Sequence, residues 1–190
     1  MQRLVVLISG EGSNMVALAK ACRQQAWKAE IVAVVSNKPA ALGLARAQAM
    51  GLDTQVLAGM PTESREAYDQ RLANLLQGLK PDWVLLAGFM RILSASFVSL
   101  FEGRLVNIHP SLLPLYPGLH THQRVLAGGD RQHGATVHFV TAQLDAGPTI
   151  AQERLDVLPG ETLQSLEARV LELEHRLYPQ AVKQLLEQTS

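Results

Sequence analysis

The chain has 190 residues and a mass of 20.7 kDa, and its 47% hydrophobic and 18% charged residues are typical of one globular domain. Seventeen basic residues balance seventeen acidic ones, so no excess of positive charge favours nucleic acid or an anionic membrane as a partner. The single cysteine, Cys22, rules out an internal disulfide and indicates a reducing compartment. Because the first apolar run is too short for a signal segment or membrane span, we expect a cytoplasmic protein.

Apolar runs of strand length alternate with segments of helix length along much of the chain. This alternation predicts an α/β fold, with a Rossmann-like, mostly parallel sheet and helices on both faces. The expected buried strands are residues 3–9, 31–36, 54–57, 83–88 and 104–109. Two later runs, 134–140 and 149–155, alternate in polarity and lie close together, so we expect an antiparallel extension of the sheet.

Two segments have the periodicity of amphipathic helices. Residues 66–79 place Tyr68 and four leucines on one helical face, which predicts a helix there. The tail from 161 to 187 places its apolar residues on one face in the same way, and Pro179 is expected to bend that helix. Neither an internal repeat nor a linker divides the chain, so we expect a single domain over residues 1–190.

A glycine-rich turn, SGEGSN at residues 9–14, follows the first strand. Its glycines permit a tight turn, which leaves backbone N–H groups and the start of a helix free to face an anion. A dinucleotide fingerprint needs a third glycine where the chain has Met15, and the second strand lacks the acid that binds a ribose, so NAD is disfavoured. The turn therefore indicates either a phosphate site or close packing.

The stretch NIHPSLLPLYPGLHTH, residues 107–122, begins where a predicted strand ends. Ligands of open α/β sheets bind at the carboxyl ends of the strands, and residues two apart on a strand face the same side. We therefore expect Asn107 and His109 to face a crevice together. Asn107 can donate a hydrogen bond to an oxyanion, His109 can carry a proton near neutral pH, and three prolines stiffen the loop.

Three histidines, Asp145 and Ser111 indicate which kinds of reaction the site could catalyse. His109, His120 and His122 lack the spacing of a zinc motif and have no neighbouring cysteine, so a metal is disfavoured and the last two are expected to open a helix. Asp145, in the turn LDAGP, would hold an imidazolium and relay protons through water if it faced His109. Ser111 has no nucleophile-elbow sequence around it, which disfavours an acyl-enzyme and favours transfer between two substrates.

A resemblance to the folate-dependent phosphoribosylglycinamide formyltransferase family of purine biosynthesis rests on eight segments, in order over nearly the whole chain. These segments are VVLISGEGSN, SNK, SREAYD, LAGFMRILS, LVNIHPSLLPLYPGLHTH, HGATVHFVT, LDAGP and EHRLYP. The resemblance implies a formyltransferase fold, and transfer of the formyl group from 10-formyltetrahydrofolate to the amine of 5-phosphoribosylglycinamide. It also implies that the partners are these small molecules, that no metal is required, and that the protein is a monomer or homodimer.

The same resemblance implies roles for individual residues. Asn107, His109 and Asp145 coincide with the catalytic residues of the family. The residues that match its ribotide-binding positions are Gly12, Ser13, Asn14 and Glu174. The residues that match its folate-binding positions are Arg65, Met90, Arg91, Ile92, Leu93, Asn107, Val140, Thr141 and Asp145. On this interpretation residues 1–102 form a phosphate-binding half of the domain, and residues 103–190 form a catalytic and folate-binding half.

Two positions depart from the pattern of the family. Glu11 stands where relatives often carry asparagine, and this places an acid beside the expected phosphate site. Leu115 stands where some members carry lysine, so a basic residue at this position is not required for binding. Neither departure removes a residue with an expected chemical role.

Three alternatives belong to other functional classes. A formyltransferase acting on initiator methionyl-tRNA would need a basic RNA-binding addition, which the charge balance and length disfavour. A 10-formyltetrahydrofolate deformylase usually carries a further domain before the phosphate loop, whereas this loop begins at residue 9. A non-catalytic folate- or phosphate-binding module remains open, because a sequence alone does not exclude binding without reaction.

Overall fold

The computed structural model describes residues 1–188, which form seven strands and six helices. The strands are β1 (Gln2–Ile8), β2 (Ala29–Ser36), β3 (Thr54–Val56), β4 (Trp83–Leu86), β5 (Leu105–His109), β6 (Gln132–Phe139) and β7 (Thr149–Asp156). The helices are α1 (Ser13–Gln24), α2 (Leu42–Ala49), α3 (Arg65–Leu79), α4 (Ala95–Leu100), α5 (Thr121–Gly128) and α6 (Leu163–Gln188).

The strands form one sheet in the order β3-β2-β1-β4-β5-β6-β7. Pairing is parallel from β3 to β5 and antiparallel for β6 and β7, which confirms the predicted fold class with its antiparallel extension. Within the sheet, β2 and β3 lie on one side of β1, and β4 to β7 lie on its other side. The carboxyl ends of β1 and β4 therefore flank a switch point, where α/β sheets bind ligands.

Both faces of the sheet are covered, because successive residues of its central strand point to opposite sides. Val6 belongs to the core that α1 and α6 complete, with Leu18 and Leu177 among its buried members. Val5 belongs to the opposite core, which includes Leu72 of α3. Burial on both faces explains why β1 reads as a continuous apolar run rather than as an alternating one.

Each predicted boundary falls within two residues of the observed one, and the differences have local causes. Strand β4 ends at Leu86, two residues before the predicted 88, because Gly88 has a φ of +78° that leaves the extended region. Helix α6 begins at Leu163 rather than at 161, because the Thr162 hydroxyl accepts a hydrogen bond from the Ser165 N–H at 3.2 Å and caps the helix.

Helix α6 is the longest of the six helices, with 26 residues, and it continues on both sides of Pro179. The expected bend at Pro179 stays a prediction. Residues 189 and 190, the last two of the predicted single domain, lie outside the described residues. Within residues 1–188, α6 and the shorter helices all lack the combination of length and apolar character that crossing a bilayer requires.

Candidate active site

Strand β5 places Asn107 and His109 at the carboxyl edge of the sheet, where His109 is buried. Its Nε2 lies 2.9 Å from the backbone carbonyl oxygen of Tyr116, and its Nδ1 lies 3.5 Å from the Asp145 carboxylate. Both of these partner atoms are acceptors, and only a doubly protonated imidazole carries an N–H on each nitrogen. An imidazolium, with an N–H on each nitrogen, would therefore suit both partners.

Asp145 is held in the turn between β6 and β7 with a φ of +50°, a left-handed conformation that is uncommon for residues other than glycine. Its carboxylate accepts a hydrogen bond from the Gly118 N–H at 2.8 Å, which ties the turn to the loop that follows β5. Such backbone strain persists only where surrounding contacts fix it, and it concentrates at functional sites. The structure thus brings the Asp145 carboxylate to within 3.5 Å of His109 Nδ1, the placement that its expected role requires.

His138 of β6 is a site residue that sequence reasoning missed. The antiparallel register pairs it with Asn107, and its Nε2 lies 3.2 Å from the Asn107 side-chain nitrogen. Because Nδ1 donates to the Phe139 carbonyl at 2.9 Å, Nε2 carries the lone pair and accepts from the Asn107 amide. Burial lowers the pKa of His138 and keeps this acceptor neutral. One amide hydrogen of Asn107 is thereby fixed and the other remains available.

The phosphate loop, residues 9–14, packs closely against the start of α2. Gly12 has a φ of +72°, and a Cβ atom there would lie 2.7 Å from the Gly43 Cα, so only glycine fits. Close packing thus accounts for this glycine whether or not an anion binds. Glu11 points away from the loop, since its carboxylate pairs with the Arg46 guanidinium at 2.8 Å and 62% of its side chain is exposed.

Ser13 and Asn14 occupy the first two positions of α1, whose first turn contains no acidic residue. The N–H groups of a first helical turn lack partners within their helix, and the helix dipole favours an anion beside them. The side chain of Asn14 is turned to α6, where its Nδ2 donates to the Glu174 carboxylate at 2.8 Å. Burial raises the pKa of Glu174 to about 7.

The loop of residues 88–93, which we call the folate loop after the ligand that the resemblance implies, presents apolar side chains to solvent. Met90 and Ile92 are 64% and 56% exposed, whereas Leu93 is buried. Between them the Arg91 guanidinium turns inward and lies 3.6 Å above the ring of Tyr68, a cation–π arrangement.

The other residues expected to bind folate belong to separate elements. Arg65 opens α3 and is exposed, and Val140 and Thr141 follow β6.

The remaining histidines after β5 lie at the start of a helix, as predicted. His120 is the residue that precedes α5, and His122 lies in its first turn with Nδ1 2.9 Å from His133 Nε2. Ser111 donates to the Leu115 carbonyl at 2.6 Å. Across residues 1–188 we find no grouping of three or more histidine, cysteine or acidic side chains that could hold a metal ion.

Comparison with known proteins places the chain in a family. The model of the formyl transferase family matches residues 2–182. The phosphoribosylglycinamide formyltransferase of Escherichia coli (strain K12) is 52% identical over 176 residues, which cover 93% of this chain and 83% of that protein. The human trifunctional purine biosynthetic protein adenosine-3 is 42% identical over 95% of this chain, which corresponds to 18% of the length of that protein.

Solved structures agree with these sequence matches. The phosphoribosylglycinamide formyltransferase of Brucella melitensis has a TM-score of 0.92 at 51% identity, over 97% of this chain and 95% of that one. Glycinamide ribonucleotide transformylase 1 of Symbiobacterium toebii has a TM-score of 0.95 at 41% identity, over 99% of this chain and 89% of that one. The chain therefore belongs to the formyl transferase family, among its phosphoribosylglycinamide formyltransferases.

Proposed function

We infer that this chain transfers the formyl group of 10-formyltetrahydrofolate to the primary amine of 5-phosphoribosylglycinamide, a step of purine biosynthesis. The observation that carries the inference is the convergence of Asn107, His109 and Asp145 at one crevice of a formyltransferase fold. These groups suit a reaction that builds up negative charge on an oxygen and moves a proton, and neither task needs a nucleophilic side chain.

In the proposed reaction the amine nitrogen attacks the formyl carbon, and the carbonyl oxygen of the formyl group becomes an oxyanion. Asn107 donates its free amide hydrogen to this oxygen, because the other hydrogen is engaged by His138. His109 supplies a positive charge beside the oxyanion. Both groups are fixed before the substrates arrive, so little free energy is lost to reorganisation in the transition state.

The proton that the amine loses must reach N10 of the folate as the bond between N10 and the formyl carbon breaks. Asp145 is placed for this relay through a water molecule, and its negative charge holds the His109 imidazolium meanwhile. The products are formylglycinamide ribotide and tetrahydrofolate. Every proton is accounted for by the substrates, so the relay returns Asp145 and His109 to their starting states.

Substrate binding is proposed to divide between the two loops. The ribotide phosphate binds the N–H groups of Gly12, Ser13 and Asn14, and Glu174 contacts the rest of the ribotide. The folate lies against the folate loop and contacts Arg65, Asn107, Val140, Thr141 and Asp145. We propose residues 1–102 as the phosphate-binding half and 103–190 as the catalytic half, although the folate loop and Glu174 cross this division.

An assay of tetrahydrofolate formation with and without the ribotide tests the function. We expect tetrahydrofolate only when 5-phosphoribosylglycinamide is present, because the amine of this ribotide is the proposed acceptor of the formyl group. Equal rates without the ribotide would identify water as the acceptor and the protein as a deformylase. Binding of both ligands without turnover would identify a non-catalytic module.

A further inference from the structure

One buried hydroxyl group, that of Ser9, links the phosphate loop to the folate loop. Ser9 follows β1 and is 4% exposed. Its Oγ donates to the side-chain oxygen of Asn37 at 2.6 Å and accepts from the backbone N–H of Met90 at 2.7 Å. Asn37 follows β2 and Met90 lies in the folate loop after β4, so this hydroxyl spans the carboxyl ends of three adjacent strands.

The contact with Met90 fixes the entrance of the folate loop. Gly88 turns the chain out of β4 with its φ of +78°, and the Ser9 hydroxyl accepts from the amide two residues later. At the exit of the loop, the Ser94 N–H donates to the buried carboxylate of Asp69 at 2.6 Å. With both ends held, the exposed side chains of Met90 and Ile92 are presented in a fixed position.

The contact with Asn37 fixes the hydroxyl itself. A serine hydroxyl has one hydrogen, which Ser9 donates to the Asn37 oxygen. The lone pairs of the Ser9 oxygen are therefore oriented to accept from the Met90 N–H. Ser9 is also the first residue of the phosphate loop. The position of the formyl donor is therefore set relative to the backbone that holds the acceptor, and transfer depends steeply on the distance between the two.

We propose that Ser9 is a positioning residue for formyl transfer, which sets the folate loop against the phosphate loop through the Met90 amide. The proposal rests on the function inferred above. Ser9→Ala leaves the Met90 N–H without its acceptor in a partly buried position. We expect this variant to raise the KM for the formyl donor about tenfold and to lower kcat by a similar factor, while the KM for the ribotide changes less than about twofold.

Ser36→Ala is the matched control. Ser36 is fully buried at the end of the neighbouring strand, and its hydroxyl bonds only the backbone of Lys38, at 2.9 and 3.0 Å, among the hydrogen bonds the structure describes. We expect it to leave the KM for the formyl donor unchanged. Ser9→Thr retains the hydroxyl and should restore the kinetics. Should Ser9→Ala fail to fold, Ser9→Cys provides a side chain of similar size with a weaker acceptor and the same expected direction.

Hydrogen exchange of the folate loop in the substrate-free protein provides a readout that does not depend on activity. We expect the Met90 amide to exchange at least about tenfold faster in Ser9→Ala than in the wild type or in Ser36→Ala. Unchanged exchange together with an unchanged KM for the formyl donor would overturn the role of Ser9. Absence of formyl transfer by the wild type would instead overturn the proposed function, and faster Met90 exchange in Ser9→Ala would then still support the contact.

Discussion

At the scale of single residues, backbone atoms and neighbouring side chains hold the proposed catalytic groups in place. His109 is held by the Tyr116 carbonyl, and Asp145 by the Gly118 N–H, so both depend on the loop after β5. Asn107 is held by His138 from the next strand. Each proposed catalytic side chain therefore has at least one contact that orients it.

Asp145→Asn tests the proton relay. Asparagine retains an oxygen that can accept from the Gly118 N–H, so the turn should keep its conformation. We expect kcat to fall at least about 10²-fold, because a positioned proton-transfer group is lost, with both KM values and the melting temperature nearly unchanged. Steady-state kinetics and thermal unfolding measure this, and a variant that kept most of its kcat would show that Asp145 has no catalytic role.

His138→Leu tests the orientation of Asn107. The substitution removes the acceptor of the Asn107 amide, so kcat should fall about tenfold while both KM values stay within about twofold. His138→Gln, which offers a carbonyl oxygen in the same region, should recover part of the loss. Equal kcat values for the two variants would indicate that hydrogen bonding to Asn107 is not the role of His138.

The protonation state of His138 extends this test to acidic pH. Burial lowers its pKa, so the ring stays neutral until the pH falls below the ordinary histidine value of about 6.5. Once protonated, Nε2 becomes a donor that faces the Asn107 amide donor. The kcat of the wild type should therefore fall as the pH is lowered through the pKa of His138. This fall should be absent from the pH profile of His138→Gln.

At the scale of elements, the amino terminus of α1 is the proposed binding site of the ribotide phosphate. The first turn contains no acidic residue, and Gly12 adopts the left-handed conformation that begins the helix. A side chain at Gly12 would collide with Gly43. A Gly12→Val variant could therefore lose activity through loss of packing as well as through loss of phosphate binding. Ser13, which is half-buried at the helix start, allows a cleaner test.

Ser13→Asp separates binding from stability. A carboxylate in the first turn should stabilise α1 through the helix dipole, yet it should repel the ribotide phosphate. We expect the KM for the ribotide to rise at least about tenfold, with the KM for the formyl donor unchanged and the melting temperature equal or higher. Ser13→Ala provides the control for loss of the hydroxyl. Parallel increases of both KM values would argue against a phosphate site at this helix.

The sequence predicted the elements better than the contacts between them. Apolar runs identify β1 and β5, because a strand covered on both faces has few polar residues, and the end of β5 identifies Asn107 and His109. His138 was missed because its role depends on the register between β5 and β6, which are separated by a long loop and α5. In a hairpin the turn sets the register, whereas no short turn joins these two strands, so the turn sequence gives no information about which residues pair.

At the scale of the whole molecule, α6 joins the end of the chain to its beginning through a buried contact. Glu174 meets Asn14 of α1 and is 7% exposed, so the carboxyl is costly to ionise in the folded protein. Its pKa is raised from 4.5 to about 7, whereas in the unfolded chain it titrates normally. The folded state therefore holds a proton that the unfolded state has released between these two values.

Glu174→Gln should remove this penalty. Below about pH 4.5 both states of the wild type are protonated, so the variant should have nearly the same free energy of unfolding. As the pH rises through about 7 the wild type loses stability, and by pH 8 the variant should be more stable by up to roughly 3 kcal/mol. Urea unfolding of the substrate-free proteins across this range measures the difference, and a difference independent of pH would refute the shifted pKa.

The destination of the formyl group tests the proposed reaction most directly. Carbon-13 in the formyl group of 10-formyltetrahydrofolate, followed by NMR in the presence of 5-phosphoribosylglycinamide, reports its destination in one experiment. We predict that the label appears as an amide on the ribotide with the wild type, and at least about 10²-fold more slowly with Asp145→Asn. Release of the label as formate, or equal rates for the two proteins, would contradict the account.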